Sequence, residues 1–387
     1  MNRKKQFRQA GIRWGIPALL IFIFIIFTVQ LNQGSKIELI SRAGQTFEKG
    51  IVTKILEDNL QDDGMRVGQQ TVLVRMLSGS HKGEALQTTS SAGFLFGAAC
   101  RPGMRVIVMQ SVAGDAVVTS VYAQDRGMMI WIFGALYLGA LCLIGGKKGL
   151  KGALGLAFTF FTVIFLDLPL IYRGYSPFMV AVGVCCITTL VTMYLIGGPT
   201  AKTAVATLGT VAGVIIAGVT ARIFGMLTGL SGWNVSDIEN LVTLWDTNGI
   251  QVGELLFSGL LISSLGATMD VAMSIASAMQ EIVHQNREIT AGELWKAGMR
   301  VGRDMMGTDS NTLILAFAGG SISTLVLDYA YDLPYLQIIN SNNIGLSIMQ
   351  GLSGSFGIVL SVPVTVLLAT LLYLKKVPQN RAGAHLV

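Results

Sequence analysis

The sequence predicts a polytopic α-helical membrane protein of about eight transmembrane helices, with a small all-β, OB-like barrel domain between the first and second. Three observations carry this prediction. The 387 residues are 52% hydrophobic and only 13% charged, with a mean hydropathy of +0.60, whereas a soluble domain carries about 25% charged residues to cover its surface. Eight runs (14–31, 128–146, 153–172, 177–197, 203–225, 251–269, 311–327 and 347–374) reach or approach the ~20 apolar residues that span about 30 Å of hydrocarbon. The segment 32–127 departs from this pattern, with 9 acidic and 10 basic residues and alternating polar and apolar stretches. Disorder is excluded, because it requires low hydrophobicity and high net charge.

Residues 1–31 form a basic N-terminus and a signal-anchor helix. Arg3, Lys4, Lys5, Arg8 and Arg13 precede a long apolar run without a small-x-small cleavage site. In 32–127, the runs Gly50–Leu56, Gln70–Met76, Met104–Ser111 and Ala116–Ala123 are separated by Gly/Asp/Ser clusters. About five short strands over this length predict a closed barrel on the extracytoplasmic side. Its Phe47, Phe94, Phe96 and Tyr122 are too few and scattered for a base-stacking groove. Residues 128–374 form a seven-helix membrane domain with a cytoplasmic segment at about 281–304, and 375–387 form a basic cytoplasmic tail.

Orientation follows from Lys and Arg in the short connections. With the N-terminus inside, 16 fall in cytoplasmic segments, against Arg173 and Arg222 outside. Both termini are therefore cytoplasmic, and the net charge of +6 reflects topology rather than nucleic-acid binding. Four cysteines and three widely spaced histidines match no metal, haem or redox motif, so no cofactor is predicted.

Enzymatic readings lack partners. Gly-Leu-Ser-Gly at 229–232 and 351–354 resembles an intramembrane protease nucleophile motif, but no apolar run contains a histidine base. The stretch 197–203 resembles a phosphate-binding loop in which Ala201 replaces the glycine before Lys202, and no βαβ unit follows. The chain is read as a non-enzyme.

Charge at membrane depth costs at least ~2.5 kcal/mol and needs a reason. Asp167 precedes Pro169, so a carboxyl and a freed carbonyl share a pocket, or the residue is interfacial at a helix end. Glu254 lies close enough to a helix start to reach the headgroups. Asp270 sits on a stripe of Ser263, Ala267, Asp270, Ser274, Ser277, Glu281, His284 and Glu288 at four- and three-residue steps, one face of a continuous helix. The stripe either lines a hydrated path or is the solvated face of a helix leaving the membrane, the latter favoured beyond Ser277.

Two spans show packing faces. Gly209, Gly213, Ala217, Ala221 and Gly225 recur every four residues, as do Ser353, Gly357, Ser361, Thr365 and Ala369, with Pro363 interrupting the ladder. Small residues at this spacing let helix backbones approach closely, so Gly213→Leu is expected to be disruptive and Val214→Leu tolerated. Before the seventh span, Thr308, Asp309 or Ser310 is read as the N-cap of a helix containing Asn311 and Thr312. This is either an interrupted entrance of the kind that binds ions in transporters or a plain interfacial cap.

The stretches Gly145–Gly152 (GGKKGLKG), Gly266–Ile282 (GATMDVAMSIASAMQEI), Arg300–Gly320 (RVGRDMMGTDSNTLILAFAGG) and Ser361–Ala369 (SVPVTVLLA) resemble the YibE/F family of bacterial multispan membrane proteins. The resemblance covers roughly 125–375 and is strongest over 266–320. It implies the bacterial plasma membrane and a partner in a shorter YibE/F paralogue, and it leaves the mechanism open; a homo-oligomer is the other partner considered beside the lipid bilayer. The leading reading is a permease-like protein moving a small solute or ion along Asp270, Ser263, Ser274, Ser277, Asp167, Glu254, Asp309 and Asn311. The alternative is a non-transporting scaffold that joins the outer domain to a paralogous or cytoplasmic partner, in which Asp270 pairs with Arg300 or Arg303.

Overall fold

The structure is a computed structural model that describes residues 24, 26–33, 44–62, 65–91, 97–113, 116–235 and 238–375. It divides into two compact units, 35–140 and 1–34 with 141–387.

In the first unit, strands β1 (Gln45–Glu57), β2 (Gln70–Met76), β3 (Ala85–Ser90), β4 (Arg105–Ala113) and β5 (Ala116–Gln124) form a closed barrel in the order β1-β2-β3-β5-β4. All pairings are antiparallel except β3 with β5. In β2, Gln70, Val72, Val74 and Met76 point inward at every second position. They meet Val52, Val106, Val108, Val121 and Cys100 in the core. Buried Gln70 accepts from the Cys100 backbone N–H at 2.7 Å and donates to Asp58 Oδ1 at 2.8 Å; Arg66 also pairs with Asp58. On the surface, Phe47 and Tyr122 meet edge to face at 5.1 Å. Phe94 and Phe96 lie outside the described residues.

The second unit is helical. Of the run 14–31, only 24 and 26–31 are described; helical residues 26–32 continue into Gln33. Next come α1 (Gly127–Thr162), of which residues 127–140 are assigned to the first unit, a π-helical turn (Val163–Asp167), α2 (Leu168–Tyr172), α3 (Pro177–Gly197), α4 (Ala201–Thr228), α5 (Ile238–Asn248), α6 (Val252–Gln285), α7 (Ala291–Gly320), α8 (Ile322–Ala330), α9 (Tyr335–Ile339) and α10 (Asn342–Leu374). Among the described residues, five helical stretches are long and apolar enough to cross a membrane: Gly127–Tyr172, α3, α4, α6 and α10. There are six if the bent pair α7–α8 is one span. The runs expected at 128–146 and 153–172 fall in the single stretch Gly127–Tyr172. That stretch breaks at Gly146 (φ 53°, ψ −132°), a left-handed conformation open to glycine, and Gly149 is pressed against the Leu141 carbonyl.

Two expectations are corrected. Thr308, Asp309 and Ser310 cap nothing: α7 is continuous through them and starts 18 residues before Asp309, where Thr290 and Glu293 form a capping box. The break falls instead at Ser321, inside the run 311–327, where α7 and α8 meet at 58°. Gly319 and Gly320 weaken the ladder there, and Ser321 Oγ reaches Ser347 Oγ at 2.6 Å. Likewise α6 ends at Gln285, so Glu288 is not on its face.

The core of the unit is α4, α6 and α10. Gly209, Gly213, Ala217, Ala221 and Gly225 are buried, as are Ser353, Gly357, Ser361, Thr365 and Ala369. The two ladders face each other. A Cβ at Gly213 would lie 2.7 Å from Ser361 Cβ and 3.0 Å from the Gly357 carbonyl oxygen, and one at Gly357 would lie 2.7 Å from the Gly213 oxygen. Val214 is itself only 1% exposed, so the expectation that Val214→Leu is neutral is withdrawn; Ile215, 43% exposed, is the outward neighbour.

Two outcomes follow from this packing. Gly213→Leu should destabilise the protein by about 2–3 kcal/mol or more, while Ile215→Leu stays near wild type in detergent thermal unfolding; equal behaviour would show that the α4–α10 contact does not hold the bundle. In the barrel, the hydrogen bond from Gln70 and then Arg66 hold the Asp58 carboxyl below its ordinary value. Its contribution is therefore present above the unfolded value near 3.9 and is lost as pH falls through the lower folded value. The protection of amides 58–70 against hydrogen exchange, relative to their intrinsic rates, should fall below about pH 4 in the intact protein, and Asp58→Asn should remove that pH dependence.

Candidate functional site

A five-residue connection, 286–290, joins α6 to α7, and Glu293 Oε2 accepts from the Thr290 N–H at 2.9 Å to fix the start of α7. Small residues then set the register of α6, α7 and α10. Gly302 faces Val362 and Ile275, and a Cβ at Gly298 would lie 2.6 Å from Met279 Sδ. Further along, a Cβ at Gly354 would lie 2.5 Å from Leu313 Cδ2 and 3.4 Å from Ser264 Cβ. Asp270 lies between Ser264 and Ile275 on α6; Asp309 and Ser310 lie between Gly302 and Leu313 on α7.

This register puts two carboxylates within electrostatic reach of each other. Asp270 is 18 residues into the 34-residue α6, about 27 Å along it at 1.5 Å per residue, and Asp309 is equally far into α7. Asp309 acts electrostatically on Asp270. Asp309 is half-buried and Asp270 exposed, while Asp309 Oδ2 and Ser310 Oγ are sealed from solvent without hydrogen-bond partners. Ser355 Oγ on α10 donates to the Ser310 carbonyl at 3.3 Å. Neither carboxylate has an ion-pair partner among the described residues; Arg300 and Arg303 are exposed and pair with neither.

The rest of the stripe is partly engaged. Ser263 Oγ donates to the Leu260 carbonyl at 2.9 Å. Ser277 accepts from Lys202 Nζ at 3.2 Å, placing a cation two helical turns from Asp270. Ser263, Asp270, Glu281 and His284 are exposed, Ser274 and Ser277 half-buried, and Asn311 on α7 is exposed.

Glu254 and Asp167 lie elsewhere. Glu254, in the first turn of α6, accepts from Ser176 Oγ and faces Arg222 Nη1 at 3.8 Å, while Arg222 sits 5.9 Å over the Phe178 ring. These contacts tie α3, α4 and α6 together. Asp167 is 2% exposed in the π-helical turn, so its side chain is buried within the protein. The carbonyl freed by Pro169, that of Phe165, accepts from Asn32 Nδ2 at 2.8 Å and so has a partner other than the carboxyl.

Cavities of about 320 and 280 Å³ flank Gly229 and Leu230, the larger reaching Arg222 and Glu254. Two more, of about 320 and 300 Å³, lie beside Ser321 and Ser347. None of these four reaches Asp270 or Asp309. Among the described residues, no group of three His, Cys, Asp or Glu side chains is placed to hold a metal ion. Sequence reading missed Ser310, Ser355 and Lys202 as neighbours of the site. Ser355 is two positions off the Ser353–Gly357 ladder, and Lys202 entered as a topological charge and in the loop-like stretch 197–203.

The model of the YibE/F-like protein family matches residues 133–375, and the chain belongs to that family. The match covers the helices that carry Asp270 and Asp309. No curated protein and no solved structure matches the chain.

Proposed function

We propose that this YibE/F-like membrane protein is a permease-like carrier of a small solute or ion, with Asp270 and Asp309 holding a proton or monovalent cation. The observation that carries the reading is that two carboxylates, each midway along its own helix, lie within electrostatic reach of one another and have no ion-pair partner among the described residues. Two adjacent negative charges in a low-dielectric setting repel each other. Taking up a positive charge relieves this, so occupancy and the α6–α7 contact are energetically linked. Ser263, Ser274, Ser277 and Asn311 extend the polar surface along the same two helices. The reading includes a bacterial plasma membrane, eight spans, cytoplasmic termini and an extracytoplasmic barrel.

The scaffold reading has its own support. The α4–α6–α10 core is densely packed, and none of the four cavities reaches Asp270. Transport then depends on the exposed faces of α6 and α7 rather than on a channel through the core.

The test is proton uptake into proteoliposomes, read by a trapped pH-sensitive dye under imposed Na⁺ or K⁺ gradients. Asp270→Asn and Asp309→Asn should each cut uptake at least about tenfold, equivalent to ~1.4 kcal/mol, while protein level and thermal unfolding stay near wild type. Unchanged uptake would contradict the reading. Destabilisation by Asp270→Asn that is repaired by Asp270→Arg with Arg303→Asp would establish the scaffold instead.

A further inference from the structure

The π-helical turn Val163–Asp167 encloses a second, separate acidic group. π-helical turns are rare and concentrate at functional positions. Here the turn stands directly before Pro169, whose missing N–H frees the Phe165 carbonyl; Asn32 Nδ2 takes up that carbonyl at 2.8 Å, and Arg173 Nη2 donates to the Leu31 carbonyl at 2.6 Å. Both contacts fasten the helical residues 26–32 over the turn, where Leu31, Leu166 and Val184 form an apolar cluster.

Asp167 is sealed beneath this clasp. Its Oδ1 is shielded from solvent and has no hydrogen-bond partner, and the residue forms no ion pair among the described residues. The facing surface of α3 carries Val184, Thr188 and Thr192 at four-residue steps. Thr188 is fully buried and donates its hydroxyl to the Val184 carbonyl at 2.7 Å, which leaves its oxygen lone pairs as acceptors. Thr192 packs on Gly155, and its own hydroxyl is buried without a partner. Across α1, Thr162 is fully buried too and donates to the Phe158 carbonyl at 2.8 Å.

The titratable and charged groups around Asp167 are few. On α3 they are Cys185, on which Asp167 acts electrostatically, and Cys186. At the end of α2 they are Tyr172 and Arg173, the latter engaged with Leu31. The described residues 24 and 26–33 contribute none. A carboxylate left ionised here would be a buried charge with neither counter-ion nor donor among the described residues, a situation proteins avoid by neutralising the group.

We propose that Asp167 is a proton-binding site, holding its proton while the 26–32 helix is docked on the π-helical turn. The O–H bond formed on one carboxyl oxygen is the one broken in hydronium, so the exchange needs no co-reactant. When ionised, Asp167 needs donors, and the Thr188 and Thr162 hydroxyls already donate to carbonyls of their own helices; held as the acid, it is itself a donor, and hydroxyl oxygens of the α1–α3 seam offer acceptors. The site stands apart from Asp270 and Asp309 and does not depend on their role.

Infrared pH-difference spectra of the full-length protein in lipid test this directly. The wild type should show a protonated-carboxyl band that persists at neutral pH and bleaches as pH rises; Asp167→Asn should lack it, and Asp270→Asn should keep it. Spectra of wild type and Asp167→Asn that coincide would overturn the proposal. Should the Asn variant fail to assemble, Asp167→Glu retains an acid and should move the band, and an unmoved band would overturn the proposal equally.

Discussion

The membrane unit depends on the approach of α4 to α10 at Gly213 and Gly357. Each glycine stands where a Cβ would lie within about 3 Å of the opposing helix's backbone. In hydrocarbon no hydrophobic gain drives helices together, so close van der Waals contact must do so. That demand explains the hydroxyls of the core as well. Thr210, Thr268, Ser361 and Thr365 donate to carbonyls of their own helices, at 2.8, 2.9, 2.7 and 2.7 Å. Each is satisfied without a partner across the interface, so backbones can close on one another. Around this seam α6 packs through Thr268 and Ser264, and α7 through Gly302 and Gly298.

Against such a tightly satisfied core, the carboxylates separate by environment. Glu254 has Ser176 and Arg222 as partners where three helices meet. Asp270 and Asp309 are left with one another, and the hydroxyl of Ser310 beside them is also unpartnered. The fold satisfies most of its core hydroxyls locally and leaves hydrogen-bonding capacity open at these groups, as at Thr192 and Asp167; unpaired charge at membrane depth is where ion and proton pathways reside. The continuity of α7 places this capacity mid-helix, on side chains, rather than at an exposed helix end.

How much was legible in the sequence follows from which interactions are local. Four-residue ladders of small residues and the Ser263–Asp270–Ser277 stripe are periodic, so the faces of α4, α6 and α10 could be read directly. Alternation exposed most of the barrel, but β3 (ALQTTS) is short and polar and owes its place to pairing with β2 and β5. The start of α7 was misplaced because Thr308-Asp309-Ser310 has capping chemistry. The Thr290–Glu293 box lies at the α6–α7 turn, and nothing between the two sites breaks a helix, so the earlier cap prevails. The break at Ser321 was hidden because Gly319 and Gly320 sit within an apolar run whose composition is uninterrupted. The meeting of Asp270 with Asp309 is a tertiary fact set by register against α10, and no spacing within either segment encodes it.

The central claim is that these two aspartates, 39 positions apart, share one site in the folded membrane protein. In a background lacking the four native cysteines, Asp270→Cys with Asp309→Cys should be joined within a single chain by a short bifunctional thiol reagent in native membranes. Asp309→Cys paired with a cysteine at Glu254 should not be joined. Efficient coupling only between chains, or none while the Glu254 pair couples, would contradict the account.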